Sequence, residues 1–219
     1  MRLNLFFQMT SYSLWKAAVV ETFNFIGSFC WAYVDVFIMV NGIALSSKFK
    51  QISFKIHQYV QMEVSDLYLW KILREDYFDL CILTKTVDKS LSNLVLLTSI
   101  NNFYYILSQR FYNVEDMQHY GLKVCFIFSF TLSVTRTICV YLFSASVNLE
   151  STKPLKALCR IEPDIYNIEV ERLIRLIGSD TVYITGKNFF NIRRGILLDI
   201  ANALVTCEIV LVQYFGKSS

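Results

Sequence analysis

A chain of 219 residues with 54% hydrophobic side chains and a mean hydropathy of +0.41 is too apolar for a soluble domain of its size. A formal net charge of +3 with no cluster of bases excludes a nucleic-acid footprint. The composition predicts an all-α, polytopic helical membrane protein, with 16% aromatics available for interfacial belts of Trp and Tyr.

The N-terminal stretch, residues 1–16, has one Arg and a short apolar run. No small-residue cleavage site follows, so it does not read as a removable signal peptide. The first apolar span, Ala17 to Leu45, is overlong and interrupted by Glu21, Asn24 and Asp35, which predicts a tilted span or one that extends beyond the bilayer. In the connection 46–93, apolar residues recur at helical spacing from Phe49 through Ile52, Ile56, Tyr59, Trp70 and Leu73 towards Leu83. No Gly or Pro interrupts this run, and the expectation is one helix continuing from the first span as far as about Ile72. The second span, 94–112, is the weakest of four because Asn101 and Asn102 sit in its middle. A short turn, 113–121, leads to the third span, 122–145, where Arg136 is the only charge after Lys123. In the connection 146–195, Pro163 and Asp164 read as helix-start residues before Ile168, Leu173, Ile174 and Ile177. That helix either lies on the membrane surface or packs with residues 46–93 into a domain beneath the membrane.

The fourth span, 196–215, should be oily throughout yet carries Asp199, Asn202, Glu208 and Gln213. A bilayer core takes about 20 apolar residues to cross, and a carboxylate at its centre costs roughly 2.5–3.5 kcal/mol on insertion scales. Such groups are tolerated where they face a bundle interior or water, so this helix is expected to line something wet. Residues 216–219 form the tail.

Basic residues set the orientation. Lys48, Lys50, Lys55, Lys71, Arg74, Lys85 and Lys89 lie in the first connection, and Lys153 to Arg194 supply eight more in the second, while residues 113–121 hold none. Both connections are therefore expected in the cytoplasm, with 1–16, 113–121 and 216–219 outside. A chain that begins outside without a signal peptide implies further spans before it. Cys81 and Cys159 then face a reducing compartment, and neither a disulfide nor a zinc site is expected. No Gly-rich phosphate loop, nucleophile elbow or His-Glu metal pair is present, so neither an enzyme nor a cofactor is expected.

The stretch Thr206-Cys207-Glu208-Ile209-Val210-Leu211-Val212-Gln213-Tyr214 resembles the C-terminal signature of insect gustatory receptors, a Thr-Tyr pair followed by an apolar run and Gln-Phe. Cys207 stands where the family usually has Tyr, and Tyr214 where it has Phe. Upstream, Asp180-Thr181-Val182, Thr185-Gly186-Lys187-Asn188-Phe189-Phe190 and Arg193-Arg194 are similar to the approach to the last helix in the sugar-receptor (trehalose and sweet-taste) branch. So are the runs at Ser144 to Ser146, Glu150 to Leu155, Lys85 to Asp88 and Asp35 to Met39.

The resemblance implies a seven-span, ligand-gated cation channel of the taste-neuron plasma membrane, with this chain matching spans four to seven. It implies a homo- or hetero-tetramer whose last helix lines a central pore, and long helices that extend into a cytoplasmic anchor domain. By position in the motif, Val210, Gln213 and Tyr214 are the expected pore-lining residues. A sugar ligand would enter between the non-pore helices from outside. The outer-half candidates to hold it are Trp15, Glu21 and Asn24 on the first span and Tyr104, Tyr105 and Gln109 on the second, because sugars need amides, carboxylates and aromatic faces. The remaining partner is membrane lipid. The alternatives are a non-conducting truncated subunit or pseudogene product and, more weakly, a small transporter.

Overall fold

The computed structural model describes residues 14–110, 120–163 and 165–215, so most of the 1–16 stretch and of the 113–121 turn, Asp164, and the 216–219 tail lie outside it. Among the described residues six helices follow in chain order: α1 (Leu14–Gln61), α2 (Leu67–Arg110), α3 (Tyr120–Thr152), α4 (Pro154–Leu158), α5 (Ile168–Ser179) and α6 (Ile196–Phe215). No strand is present among the described residues. A single bridge joins Thr185 to Asn191. The protein is all-helical, as its composition implies.

Helices α1, α2 and α3 change character along their length. At one end they expose large apolar side chains, among them Phe23, Phe25, Phe29, Tyr33, Tyr104, Ile127 and Phe128. At the other end they close a core with α4, α5 and the segment before α6. Phe49, Ile52 and Ile56 of α1 meet Trp70, Leu73 and Tyr77 of α2, with Leu158, Val170, Leu173, Ile177, Ile184 and Ile192 completing it. Ring pairs Phe49–Tyr77 and Tyr59–Trp70 pack edge to face, with centroids 5.6 and 5.7 Å apart.

Two stretches are long and apolar enough to cross a membrane, Trp15–Gln61 and Lys123–Leu158, each with a mean hydropathy of 1.6 in its most apolar window. Only 11% and 17% of those windows is buried inside the chain, which separates them from the core helices of a soluble protein. Four spans were expected from the sequence. The described part of 94–112 falls short in hydropathy because Thr98, Ser99, Asn101 and Asn102 interrupt its apolar run, and in the last helix the apolar stretch is the shorter Ile196–Cys207.

Helix α1 passes Ser46 and Ser47 unbroken, their hydroxyls donating to the Ile43 and Ala44 carbonyls of the preceding turn. It does not continue to Ile72. It ends at Gln61, where Glu63 takes a φ of 50° and the Val64 and Glu63 amides reach back to the Tyr59 and Val60 carbonyls. This is a left-handed helix stop at a position where Gly is usual. Asp66 then caps α2 by accepting from the Tyr68 amide at 2.9 Å, and Trp70 Nε1 donates to the Val64 carbonyl at 2.8 Å. The run from Phe49 to Leu83 is therefore a helical hairpin rather than one helix.

Helix α5 starts at Ile168, not at Pro163. The Asn167 side chain accepts from the Glu169 and Val170 amides, each at 3.0 Å. Its apolar face is fully buried at Val170 and Leu173, so the helix packs into the core instead of lying on a membrane surface.

Close approach of α1 and α3 depends on Gly42. A Cβ there would meet the Phe143 carbonyl oxygen at 2.9 Å and its carbon at 3.1 Å, which are backbone atoms with little room to yield. Gly42→Ala should cost about 1–3 kcal/mol by overpacking. Gly27→Ala, with nothing within 4 Å of the added carbon, should be neutral or gain up to ~1 kcal/mol from helix propensity. Thermal unfolding of both variants in detergent checks the contrast; equal melting temperatures would remove the close-approach account.

Candidate functional site

A cavity of about 510 Å³ opens between the apolar ends of α1, α2 and α3. Its polarity comes from three stripes at helical spacing. Helix α1 contributes Asn24, Ser28 and Trp31, α2 contributes Asn101 and Tyr105, and α3 contributes Ser129, Ser133 and Arg136. Successive members lie three or four residues apart, so each stripe occupies one face of its helix. Phe23 and Leu132 add apolar wall. The Tyr105 hydroxyl and Ser129 Oγ are 3.1 Å apart, which ties α2 to α3 across the cavity.

At one edge of this cavity lies a charge pair. Asp35 of α1 is 1% exposed, and its Oδ2 is 2.7 Å from Arg136 Nε of α3. Arg136 Nη2 also donates to Asn102 Oδ1 of α2, at 3.4 Å. Three helices thus converge on one guanidinium.

Two of the six sugar-contact candidates, Asn24 and Tyr105, line the cavity. Trp15, Glu21, Tyr104 and Gln109 are not in its wall; Trp15 and Tyr104 are 66% and 63% exposed on the outer surfaces of their helices. Trp31, Ser129, Ser133 and Arg136 line it without having been singled out from the sequence. The i, i+4, i+7 series Ser129, Ser133, Arg136 was the legible signal for them.

A second cavity, of about 600 Å³, lies between α2, α3 and the start of α6. Ile100, Phe103, Ile106, Ile196 and Ile200 make it largely apolar. In α6 itself Ile196 is buried, whereas Leu198, Val205, Ile209 and Val210 are more than half exposed. Gln213 is exposed, Cys207 half-buried, and Thr206 Oγ1 donates to the Asn202 carbonyl at 2.8 Å. The side chains of Glu208, Leu211 and Tyr214 lie outside the described residues.

The segment leading into α6 is fastened to α2. Asp88 accepts from the Thr185 amide at 2.6 Å and from its hydroxyl at 2.9 Å. Burial pushes the Asp88 carboxyl above its ordinary value, and the two Thr185 bonds draw it partly back. Lys85 pairs with Asp180 at 2.6 Å, and Asn148 of α3 donates to the Val182 carbonyl. The turn between is tight, with Lys187 and Asn188 at φ of 49° and 62°. Arg193 stacks on the Tyr183 ring at 4.6 Å and donates to its hydroxyl. Nearby, burial raises the Cys81 thiol to about 11, so it stays protonated and inert.

A family model described as trehalose receptor matches residues 2–219 of the sequence. The chain belongs to the trehalose receptor family. It is 33% identical over 208 residues to the Drosophila melanogaster gustatory receptor for sugar taste 64f, covering 95% of this chain and 44% of that relative. It is 34% identical to gustatory receptor for sugar taste 64a (95% and 45%) and 30% identical to gustatory receptor 5a for trehalose (95% and 47%), both from the same fly. The chain spans about half the length of the curated relatives it matches. These relatives are insect gustatory receptors for sugar taste, and the apolar helices mark this family member as a membrane protein.

In this receptor-family chain, α5 is held to α2 by Glu169, which accepts from Arg74 Nε at 2.6 Å and from Arg172 Nη1 at 2.6 Å. The Arg74 bond is the main cause that holds the Glu169 carboxyl below its ordinary value of 4.5; partial burial opposes it, and Arg172 assists. A depressed folded value means the stabilisation is present above the ordinary value and is lost as pH falls through the folded one. Stability should therefore decline on acidification from the ordinary carboxylate range downward, and Glu169→Gln should remove that part of the slope. Unfolding midpoints of the two proteins across the acid range measure it; parallel profiles would assign the slope elsewhere.

Proposed function

We propose that the chain is the pore-bearing part of a sugar-gated cation channel subunit in the plasma membrane of taste neurons. The observation that carries this reading is the 510 Å³ cavity, in which aromatic, amide and hydroxyl groups from three helices converge in a member of the trehalose receptor family. A pyranose offers C–H faces to Trp31 and Tyr105, and its hydroxyls meet Asn24, Asn101, Ser28 and Ser133. The basic residues in 46–93 and 146–195 favour a cytoplasmic packed end, and on that reading the cavity faces the outer half of a membrane crossed by four spans.

The exposed apolar face of α6 fits a helix that meets copies of itself around an axis, as in a tetramer. Helical spacing alone assigns Val210, Gln213 and Tyr214 to one arc of the helix and leaves Leu211 outside it. A ring of Val side chains gates by dewetting, and a ring of amides offers dipoles to a passing cation.

Currents from a receptor carrying this chain, expressed in oocytes, test both halves of the proposal. Trp31→Ala should raise the half-maximal glucose concentration about tenfold, corresponding to ~1.4 kcal/mol. Val210→Ala should raise basal leak, Gln213→Ala should alter cation selectivity, and Leu211→Ala should leave selectivity alone. A selectivity change confined to Leu211→Ala would reject the pore face; an unchanged glucose response in Trp31→Ala would reject the cavity.

A further inference from the structure

Among the residues lining the 510 Å³ cavity, Arg136 alone carries a formal charge. Sugars tasted as nutrients are neutral, and a bare guanidinium in a confined, partly apolar cavity would favour anions over them. Asp35 removes that bias. Its carboxylate, 1% exposed and one helical turn beyond Trp31, lies 2.7 Å from Nε. A guanidinium carries five N–H donors. Asp35 pairs with the guanidinium by charge, without a hydrogen bond at Nε, and Asn102 accepts from Nη2, so N–H donors of this cavity-lining side chain remain to meet a ligand oxygen.

We propose that Asp35 and Arg136 form a charge-cancelling pair that sets ligand class: the cavity takes neutral polyhydroxyl molecules and discriminates against sugar acids and amino sugars. This rests on the reading of the cavity as the sugar site. Arg136 supplies N–H groups that donate to a hydroxyl or ring oxygen, while Asp35 fixes its orientation and neutralises the site. Asn102 holds the guanidinium plane from the third helix. The arrangement explains why a carboxylate lies deep in the most apolar stretch of α1, where it would otherwise be costly, and why its partner is a cavity residue rather than a group in the packed end.

The test is ligand binding by saturation-transfer NMR with the chain reconstituted in phosphatidylcholine nanodiscs, using glucose, glucuronate and glucosamine as probes. The intact protein should bind glucose best. Asp35→Asn leaves the guanidinium unmatched and should shift the glucuronate-to-glucose affinity ratio at least tenfold towards glucuronate. Arg136→Gln leaves the carboxylate unmatched and should shift the glucosamine-to-glucose ratio in the opposite sense. The double variant Asp35→Asn/Arg136→Gln is neutral again and should return both ratios to their starting values, with weaker glucose binding. If Asp35→Asn does not reconstitute as a monodisperse protein, the Arg136→Gln and double variants decide the matter. Ratios unchanged in a properly reconstituted single variant overturn the proposal. Trp31→Ala and Asn24→Ala separate that failure from a failure of the site itself: if they too leave glucose binding unchanged, the cavity is not the sugar site.

Discussion

The ion pair between Asp35 and Arg136 constrains the arrangement of the long helices more than any apolar contact does. Apolar side chains facing lipid gain little from meeting one another, because a lipid tail is as oily as leucine. A buried carboxylate has no such latitude, since removing its partner leaves an uncompensated charge and costs on the order of 3–5 kcal/mol. With Asn102 on the same guanidinium, one residue from each of α1, α2 and α3 is held to a fixed rotation about its helix axis. The cavity beside it follows, because Asn24, Ser28 and Trp31 share the rotation of Asp35, and Ser129 and Ser133 share that of Arg136.

The other end of the molecule is held by ordinary burial. Trp70, Phe49, Ile56 and Leu173 are fully enclosed, and the hairpin at Glu63 to Asp66 brings α2 back alongside α1 to enclose them. Polar groups here act as fasteners for segments with little apolar surface of their own: Asn167 starts α5, Glu169 ties it to Arg74, and Asp88 holds the Thr185 turn. The Tyr77 hydroxyl donates to the Ser151 carbonyl in the same core, and burial raises its titration well above the ordinary value, so it serves as a donor throughout the physiological range.

Much of this was legible in the sequence, and the failures have physical causes. Helical class, the first and third apolar stretches and the core residues of both connections follow from periodicity. The stop at Gln61 was missed because Glu63 adopts a left-handed conformation that only Gly advertises, although Ser65-Asp66 was a readable cap. The start at Asn167 was missed because Pro163 is the louder signal. The cavity lining was half visible. Asn24 and Tyr105 stand out as polar or aromatic residues within apolar runs, but proximity to the outer end of a span, which selected Trp15, Glu21, Tyr104 and Gln109, says nothing about rotation. Rotation is written in the polar stripes and in the pairing of Asp35 with Arg136, and recognising it takes two helices read together. The last helix gave its motif but not its packing, because the exposed side chains of Leu198, Val205, Ile209 and Val210 meet nothing else in the chain that would fix it.

Helix α2 connects the two ends of this arrangement. It carries Asn101 and Tyr105 in the cavity wall, Asn102 on the guanidinium, and Asp88 on the turn that precedes α6. Thirteen residues separate Asp88 from Asn101, about 20 Å at 1.5 Å per residue, and no Gly, Pro or positive φ interrupts the helix between them. An uninterrupted helix of this length bends only gently, so a rotation or shift of α2 at the cavity is carried to Thr185. From there the tight turn at Lys187 and Asn188 and the Arg193–Tyr183 stack leave little slack before α6 begins. The stiffness of α2, rather than a chain of individual contacts, is what makes the cavity and the start of the last helix mechanically one unit.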